Sequence, residues 1–220
     1  MAIDRWMLDQ LEAGGPATLR LYRWSRPTLS LGRHQQRLEP HWPALVEEGL
    51  IDLVRRPSGG RAVLHSGELT YALACRREGV QRERAYRDSC QWLLRCFAQA
   101  GQPLDFGASP GRQAQASGSC FATATAADLV QANGAKRIGS AQLWRGPLLL
   151  QHGSLLLEPP PSLWRRVFGG DPPALQPLPW GSAELMRQLR RSAEAELCPG
   201  GLEPQALTPA EWAAIEALRA

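Results

Sequence analysis

The sequence predicts an α/β (α+β) fold, and three patterns along its 220 residues carry that prediction. Short apolar runs of strand length are separated by glycine- and proline-rich turns. One long stretch, residues 85–100, instead places apolar residues at helical spacing and stops at Gly101. A densely apolar segment, Leu148 to Leu157, reads as a buried strand interrupted at Gly153.

The elements follow in order. Ile3 to Leu11 is an amphipathic helix with Ile3, Trp6, Met7 and Leu11 on one face, ended by Gly14-Gly15-Pro16. Leu19 to Trp24 and Thr28 to Leu31 are strands on either side of Ser25-Arg26-Pro27. A short helix from Pro43 stops at Gly49, and Leu50 to Arg55 is a buried strand. Arg61 to Leu64 and Leu69 to Cys75 are two more strands after a glycine-rich loop. Residues 108–126 are almost all small or polar and read as a long surface loop, a kind of segment that is often functional. Asp128 to Gln131 and Lys136 onward form a hairpin around Asn133-Gly134. Beyond Glu158 a Pro-rich stretch to Trp180 leads to two helices. The last has Thr208 as N-cap, Pro209 at its first position and Glu211 closing a capping box.

Composition narrows the function classes. With 44% hydrophobic and 21% charged residues the chain has the make-up of a globular domain. No apolar run approaches the roughly 20 residues of a membrane helix. The start carries acids and no long apolar stretch, so a signal peptide is not expected and a cytoplasmic location is. Five scattered cysteines without a CxxC pair argue for reduced thiols and against a zinc site or disulfides; no metal is expected. The formal net charge is +4 and the pI about 9.0. No basic run supports nucleic-acid binding, whereas this charge suits an acidic protein partner.

One lysine stands among 25 basic residues. Lys136 lies in Gly134-Ala135-Lys136-Arg137-Ile138-Gly139-Ser140-Ala141-Gln142, where small residues let the backbone approach a ligand. Its compact, movable ammonium does what the planar arginine fork cannot. Biased residue usage that left one lysine by chance is the alternative. A second cluster, Arg56 to Tyr71, reads as strand, Gly-Gly turn, strand and Ser-Gly turn. Gly59 and Gly60 let N–H groups face a ligand, and the flanking Arg56 and Arg61 suit a phosphate or carboxylate. A plain β-meander with surface arginines fits the same composition. His152-Gly153 inside an apolar strand marks close approach of a ligand or of another backbone. Cys75, Cys90 and Cys96 read as buried small hydrophobes. Cys120, in Ser117-Gly118-Ser119-Cys120-Phe121, is a candidate nucleophile if its pKa is lowered.

These motifs together match a known family. The set Arg56-x-Ser58-Gly59-Gly60-Arg61-Ala62-Val63-x-His65-x-Gly67-Glu68-Leu69-Thr70-Tyr71, then Lys136-x-x-Gly139-Ser140-Ala141-Gln142, then Leu150-Gln151-His152-Gly153-Ser154 resembles the biotinyl/lipoyl ligase and octanoyltransferase family. Ala2-x-Asp4 and Trp24-Ser-Arg-Pro-Thr-Leu-Ser-Leu-Gly32-Arg33-x-Gln35 are similar too, so the resemblance runs in order over residues 2–158. It implies a mixed β-sheet domain flanked by helices. Residues 1–158 are expected to be the catalytic domain, and 159–220 a Pro-rich connection with C-terminal helices packed on it.

The resemblance also implies roles. Lys136 is the family's invariant lysine, whose ammonium polarises the acyl carbonyl and stabilises the developing oxyanion. Arg56, Ser58, Gly59, Gly60, Arg61 and His65 line the acyl and the phosphate or pantetheine side. Gly139, Ser140, Ala141, His152 and Gly153 form the opposite wall. Arg137 stands where members usually carry an aliphatic residue, and either alters pocket polarity or points outward. Cys120-Phe121 resembles the pair found in one branch of octanoyltransferases. The expected reaction therefore moves octanoate from acyl carrier protein, through a Cys120 thioester, to a lysine of a lipoyl carrier, without a cofactor. The implied acceptors are the glycine cleavage H protein and the lipoyl domains of 2-oxoacid dehydrogenases. Neither nucleic acid nor membrane is a partner. The alternative is an ATP- and Mg-dependent lipoate–protein ligase; a non-catalytic acyl- or lipoyl-domain-binding protein is a third reading.

Overall fold

A computed structural model describes residues 1–107 and 127–218. The fold is mixed α/β, with two sheets flanked by helices. The larger sheet runs β1-β5-β9-β8-β7-β6 and is antiparallel throughout. Its strands are β1 (Thr18–Tyr22), β5 (Glu68–Arg76), β6 (Asp105–Phe106), β7 (Asp128–Val130), β8 (Lys136–Arg145) and β9 (Leu148–Leu156). In the smaller sheet β2 (Thr28–Leu31) lies between β3 (Asp52–Arg55), its parallel partner, and β4 (Val63–His65), its antiparallel one.

β5 and β9 are central and buried on both faces, which explains their near-continuous apolar character. Strand alternation sends Ala72, Ala74, Leu148 and Leu150 to one face. There they meet Met7, Leu8 and Leu11 of α1 (Ala2–Glu12); Met7 and Leu11 belong to the stripe legible in the sequence, whose Ile3 and Trp6 pack partly buried against the same cluster, while Leu8 was not part of it. Leu69, Tyr71, Ile138 and Leu155 face the other way. They pack on Trp92, Leu93 and Phe97 of α3 (Arg82–Gln99) and on Leu185 and Leu189 of α5 (Ser182–Leu197). The smaller sheet packs on α2 (Trp42–Glu47) and α4 (Pro161–Phe168). The Trp42 indole donates to the Val167 carbonyl at 2.8 Å, tying those two helices together. In α6 (Pro209–Ala217) the Thr208–Glu211 capping box is present in both directions.

Several expectations need correction. α4 forms inside the stretch read as Pro-rich connection, so three helices follow Glu158 among the described residues. Pro161 at its first turn costs no helical hydrogen bond, and Gly169, at φ +77°, ends it. β1 stops at Tyr22, leaving Trp24 outside the strand with its indole donating to Thr70 Oγ1 at 3.0 Å. β9 is not interrupted at Gly153, whose backbone pairs on both sides with Tyr71 and Ser140. The two-residue β6 has too little apolar pattern to be read from sequence. The expected loop over 108–126, with Cys120, lies outside the described residues. No helix among the described residues is long and apolar enough to cross a membrane.

Candidate active site

A cleft of about 450 Å³, counted to its open mouth, lies where the two sheets meet. Ser30, Val63 and His65 of the small sheet form one wall, with Arg56, Gly59 and Gly60 of the connecting turn. Thr70, Gly139, Ser140, Ala141, His152, Gly153 and Ser154 of the large sheet form the other. Thr70, His152 and Ser154 share the α1 face of that sheet, since they alternate with Tyr71, Gly153 and Leu155. Ser58, Arg61 and Lys136 are not among the residues that line this cleft; Ser58 lines a second one, with Arg33, Gly59 and Trp144.

The turn between β3 and β4 is shaped by glycine and held by one arginine. Gly60 has φ +99°, a left-handed conformation that favours glycine. It lies so close to Gly32 that a Cβ there would sit 1.8 Å from the Gly60 carbonyl oxygen. Arg56, 5% exposed, donates through Nε and a terminal nitrogen to Gly59 O, and through the same terminal nitrogen to Arg61 O. Its other terminal nitrogen reaches Ser30 O and Oγ. A guanidinium has five N–H donors, so these contacts engage the whole fork. Arg56 is the internal brace of the turn, where the sequence suggested an anion grip.

Two buried hydrogen-bond chains back the cleft. Ser58 Oγ lies 2.5 Å from His152 Nε2, and His152 Nδ1 lies 3.1 Å from Asp4 Oδ2. Asp4 is fully buried on α1 and also accepts from Arg20 at 3.1 Å and from Tyr22 at 3.3 Å. Burial alone would push its carboxyl up; the hydrogen bond and charge of His152 and the charge of Arg20 outweigh this and hold it below the usual range. In the second chain Ser30 Oγ is 2.8 Å from His65 Nε2, and His65 Nδ1 is 3.2 Å from Glu68 Oε1. Glu68 further accepts from Thr70 at 2.6 Å and Ser154 at 2.5 Å, while Trp24 stacks on His65 with ring centroids 4.4 Å apart. A carboxylate only accepts, so each histidine donates to its carboxylate from Nδ1, and its Nε2 faces the serine hydroxyl.

Lys136 is paired with Asp128, Nζ to Oδ1 at 2.8 Å, with side chains only 2% and 4% exposed. A register shift between Leu129 and Val130 creates this pair. It sets Lys136 opposite Val130, on the face that Asp128 shares; an unbroken ladder would point Lys136 with Ile138 into the apolar core. Arg137 is fully buried and points away from the cleft. Its guanidinium donates to Leu156 O at 2.9 Å and to Gln176 O, and sits 5.8 Å from the Phe97 ring centroid. Burial pulls its pKa down to about 10. It fastens the segment before α5 to β8 and leaves the polarity of the cleft alone.

Gly153 shows why a glycine is needed beside His152. A Cβ there would meet Ser140 Oγ at 2.5 Å, Tyr71 Cε1 at 2.6 Å and Gly139 O at 2.9 Å. The close approach read from sequence is therefore that of the protein's own chain. Asp4, Glu68 and Asp128 were given no role in sequence, although the first two sit inside the quoted motifs. Only their contacts with His152, His65 and Lys136 single them out.

Residues 1–176 match the family model for the lipoyl protein ligase A/B catalytic domain, and the chain belongs to that family. It is 39% identical over 165 residues to the octanoyltransferase LipM of Moorella thermoacetica; the match takes in 71% of this chain and 60% of that protein, less than two thirds of its length. The octanoyltransferase LipM of Kyrpidia tusciae is 35% identical over an alignment covering all of this chain and 90% of that one. Among solved structures, the bipartite lipoate protein ligase of Thermoplasma acidophilum superimposes with a TM-score of 0.74 at 18% identity, over 99% of this chain and 85% of that one, a likeness of fold.

Proposed function

We propose that this protein is a cysteine-dependent octanoyltransferase. It takes octanoate from acyl carrier protein onto Cys120 and passes it to a lysine of a lipoyl-carrier domain. The observation that carries this reading over a ligase is the engagement of Arg56. All five of its N–H donors hold the Ser58–Arg61 turn or Ser30, so it has none left for the phosphates of ATP. The residues described at the cleft thus fit a nucleotide poorly and an uncharged acyl chain well. Thr70 and Ser154 turn their protons back onto Glu68, and the Ser30 hydroxyl faces His65 Nε2. Seven buried carbons of an octanoyl tail supply about 6 kcal/mol of binding at most, at about 0.8 kcal/mol per CH₂.

In this mechanism the Cys120 thiolate attacks the donor thioester and the carrier thiol leaves. The acceptor amine then attacks the acyl-enzyme. Exchange between thioesters is nearly balanced, and formation of the amide drives the cycle forward. Lys136, fixed beside Asp128, supplies positive charge for the developing oxyanion. Names of relatives support the reading, since both LipM proteins are octanoyltransferases. The test is intact mass after mixing with octanoyl-loaded acyl carrier protein. Wild type should gain one octanoyl group and Cys120→Ala none. ATP-dependent lipoylation of a carrier domain without an adduct would make the protein a ligase.

A further inference from the structure

We propose that the groove beside the cleft grips the phosphate of the acyl donor's pantetheine arm, through Arg33 and Arg82. The inference rests on the transferase reading above and names the part of the donor that these two residues recognise. Arg56 does not make this contact, because its fork is engaged inside the turn.

The groove, about 520 Å³ counted to its mouth, adjoins the cleft, and Gly59 borders both. β8 runs from one into the other. Its residues 139–141 line the cleft and residues 142–144 line the groove. At the rise of a strand, Ser140 and Leu143 stand about 10 Å apart. A flexible arm can therefore hold its thioester in the cleft while its far end lies in the groove.

Charge sets the groove apart. Arg33 and His34 reach it from the loop after β2 and Arg82 from the start of α3, and none of its described lining residues is acidic. Many exposed arginines elsewhere have a carboxylate partner, such as Arg26 with Asp52, Arg95 with Glu196 and Arg166 with Glu48. Arg33 and Arg82 have none within 4.0 Å among the described residues. Glu83, the acid in the first turn of α3, pairs instead with Arg87 at 3.7 Å. Arg82 opens that helix, whose positive dipole end adds to its charge.

The framework under these cations is fixed. The Arg33 N–H donates to Ser58 O at 2.8 Å, which ties the loop after β2 to the turn. The Arg82 guanidinium lies 5.8 Å from the Trp144 ring centroid, and Trp144 Nε1 donates to Gln142 Oε1 at 3.0 Å. Gln142 donates in turn to the buried Gln151 at 2.8 Å. Two guanidiniums on one groove suit the several acceptor oxygens of a phosphate. Leu143 and Trp144 offer apolar surface to the alkyl part of the arm. Continuity with the cleft favours the arm over carboxylates on the carrier's surface, because the arm is the part of the donor that enters.

The test compares rates of acyl-enzyme formation, read by intact mass, from octanoyl-pantetheine, octanoyl-phosphopantetheine and octanoyl-acyl carrier protein. On wild type the phosphate should raise kcat/KM of the free arm about tenfold or more, and salt should erase the gain. In the double variant Arg33→Gln, Arg82→Gln the two free arms should react at about equal rates. Its KM for the carrier protein should rise by about the same tenfold factor, with thermal unfolding reporting that the variant is folded. Equal rates of the two free arms on wild type, or a variant that keeps the wild-type preference, would overturn the proposal. So would a loss confined to the carrier protein, which would assign the arginines to its surface carboxylates. These results leave the transferase reading standing. No acyl-enzyme on wild type from any of the donors would overturn that reading and the proposal with it.

Discussion

Lys136 Nζ and Asp128 Oδ1 sit 2.8 Å apart, both side chains almost wholly withdrawn from water, on neighbouring strands brought into register by one irregularity. Neither charge is stable there alone. Replacing Asp128 by Asn keeps the shape and removes the counter-charge, so Lys136 becomes a buried cation facing an amide. Breaking a buried pair this way costs about 3–5 kcal/mol. Urea unfolding of Asp128→Asn should show a loss of that size, and a loss under 1 kcal/mol would mean the pair is solvated.

Gly153→Ala should be costly out of proportion to one methyl group. The new Cβ meets Ser140 Oγ, Tyr71 Cε1 and Gly139 O, each inside 3.0 Å, and the last is backbone. Overpacking of this kind costs about 1–3 kcal/mol. For a chain of this length that lowers Tm by roughly 2–4 °C per kcal/mol, read by calorimetry. The displaced Ser140 and Gly139 border the cleft, so the proposed octanoyl transfer should weaken as well.

Asp4 predicts a specific pH dependence. Its folded-state pKa lies below the usual 3.8, so ionised Asp4 adds stability that is complete above about that pH. The contribution is lost as pH falls through the folded value. Asp4→Asn should therefore cost about 1–3 kcal/mol at pH 7, where it weakens the hydrogen bonds that the carboxylate accepts from Arg20, Tyr22 and His152. The gap to wild type should narrow below pH 3.8 in denaturant titrations. A gap that stays constant with pH would mean that Asp4 acts through shape alone.

The cysteines should separate by reactivity. Burial pushes the Cys90 thiol up to about 11 and the Cys96 thiol up to about 12, and raises Cys75 as well. Iodoacetamide at pH 8 should leave these three unmodified in the folded protein. Cys198, only partly buried, should be labelled, together with Cys120 if it is the nucleophile. Peptide mapping before and after unfolding reads the difference. Rapid labelling of Cys90 in the folded state would contradict its burial.

What the residues determined by themselves was the local grammar of the chain. The apolar stripe of α1, the apolar, buried character of β9, the Gly-Gly turn and the Thr208 cap follow from periodicity, backbone freedom and hydrogen-bond chemistry within a few positions. The order of motifs likewise marked Lys136, His65 and His152 as belonging together. Tertiary structure alone decided what those groups do. Asp4 meets His152 across 148 positions of sequence, and Ser58 meets it across 94. Arg56 closes on the backbone it seemed placed to expose, and one shifted register turns Lys136 out of the apolar core towards Asp128. Sequence spacing carries the period of a helix or strand. It carries neither the register between strands nor which buried donor finds which acceptor, because those are settled by the packing of segments far apart in the chain.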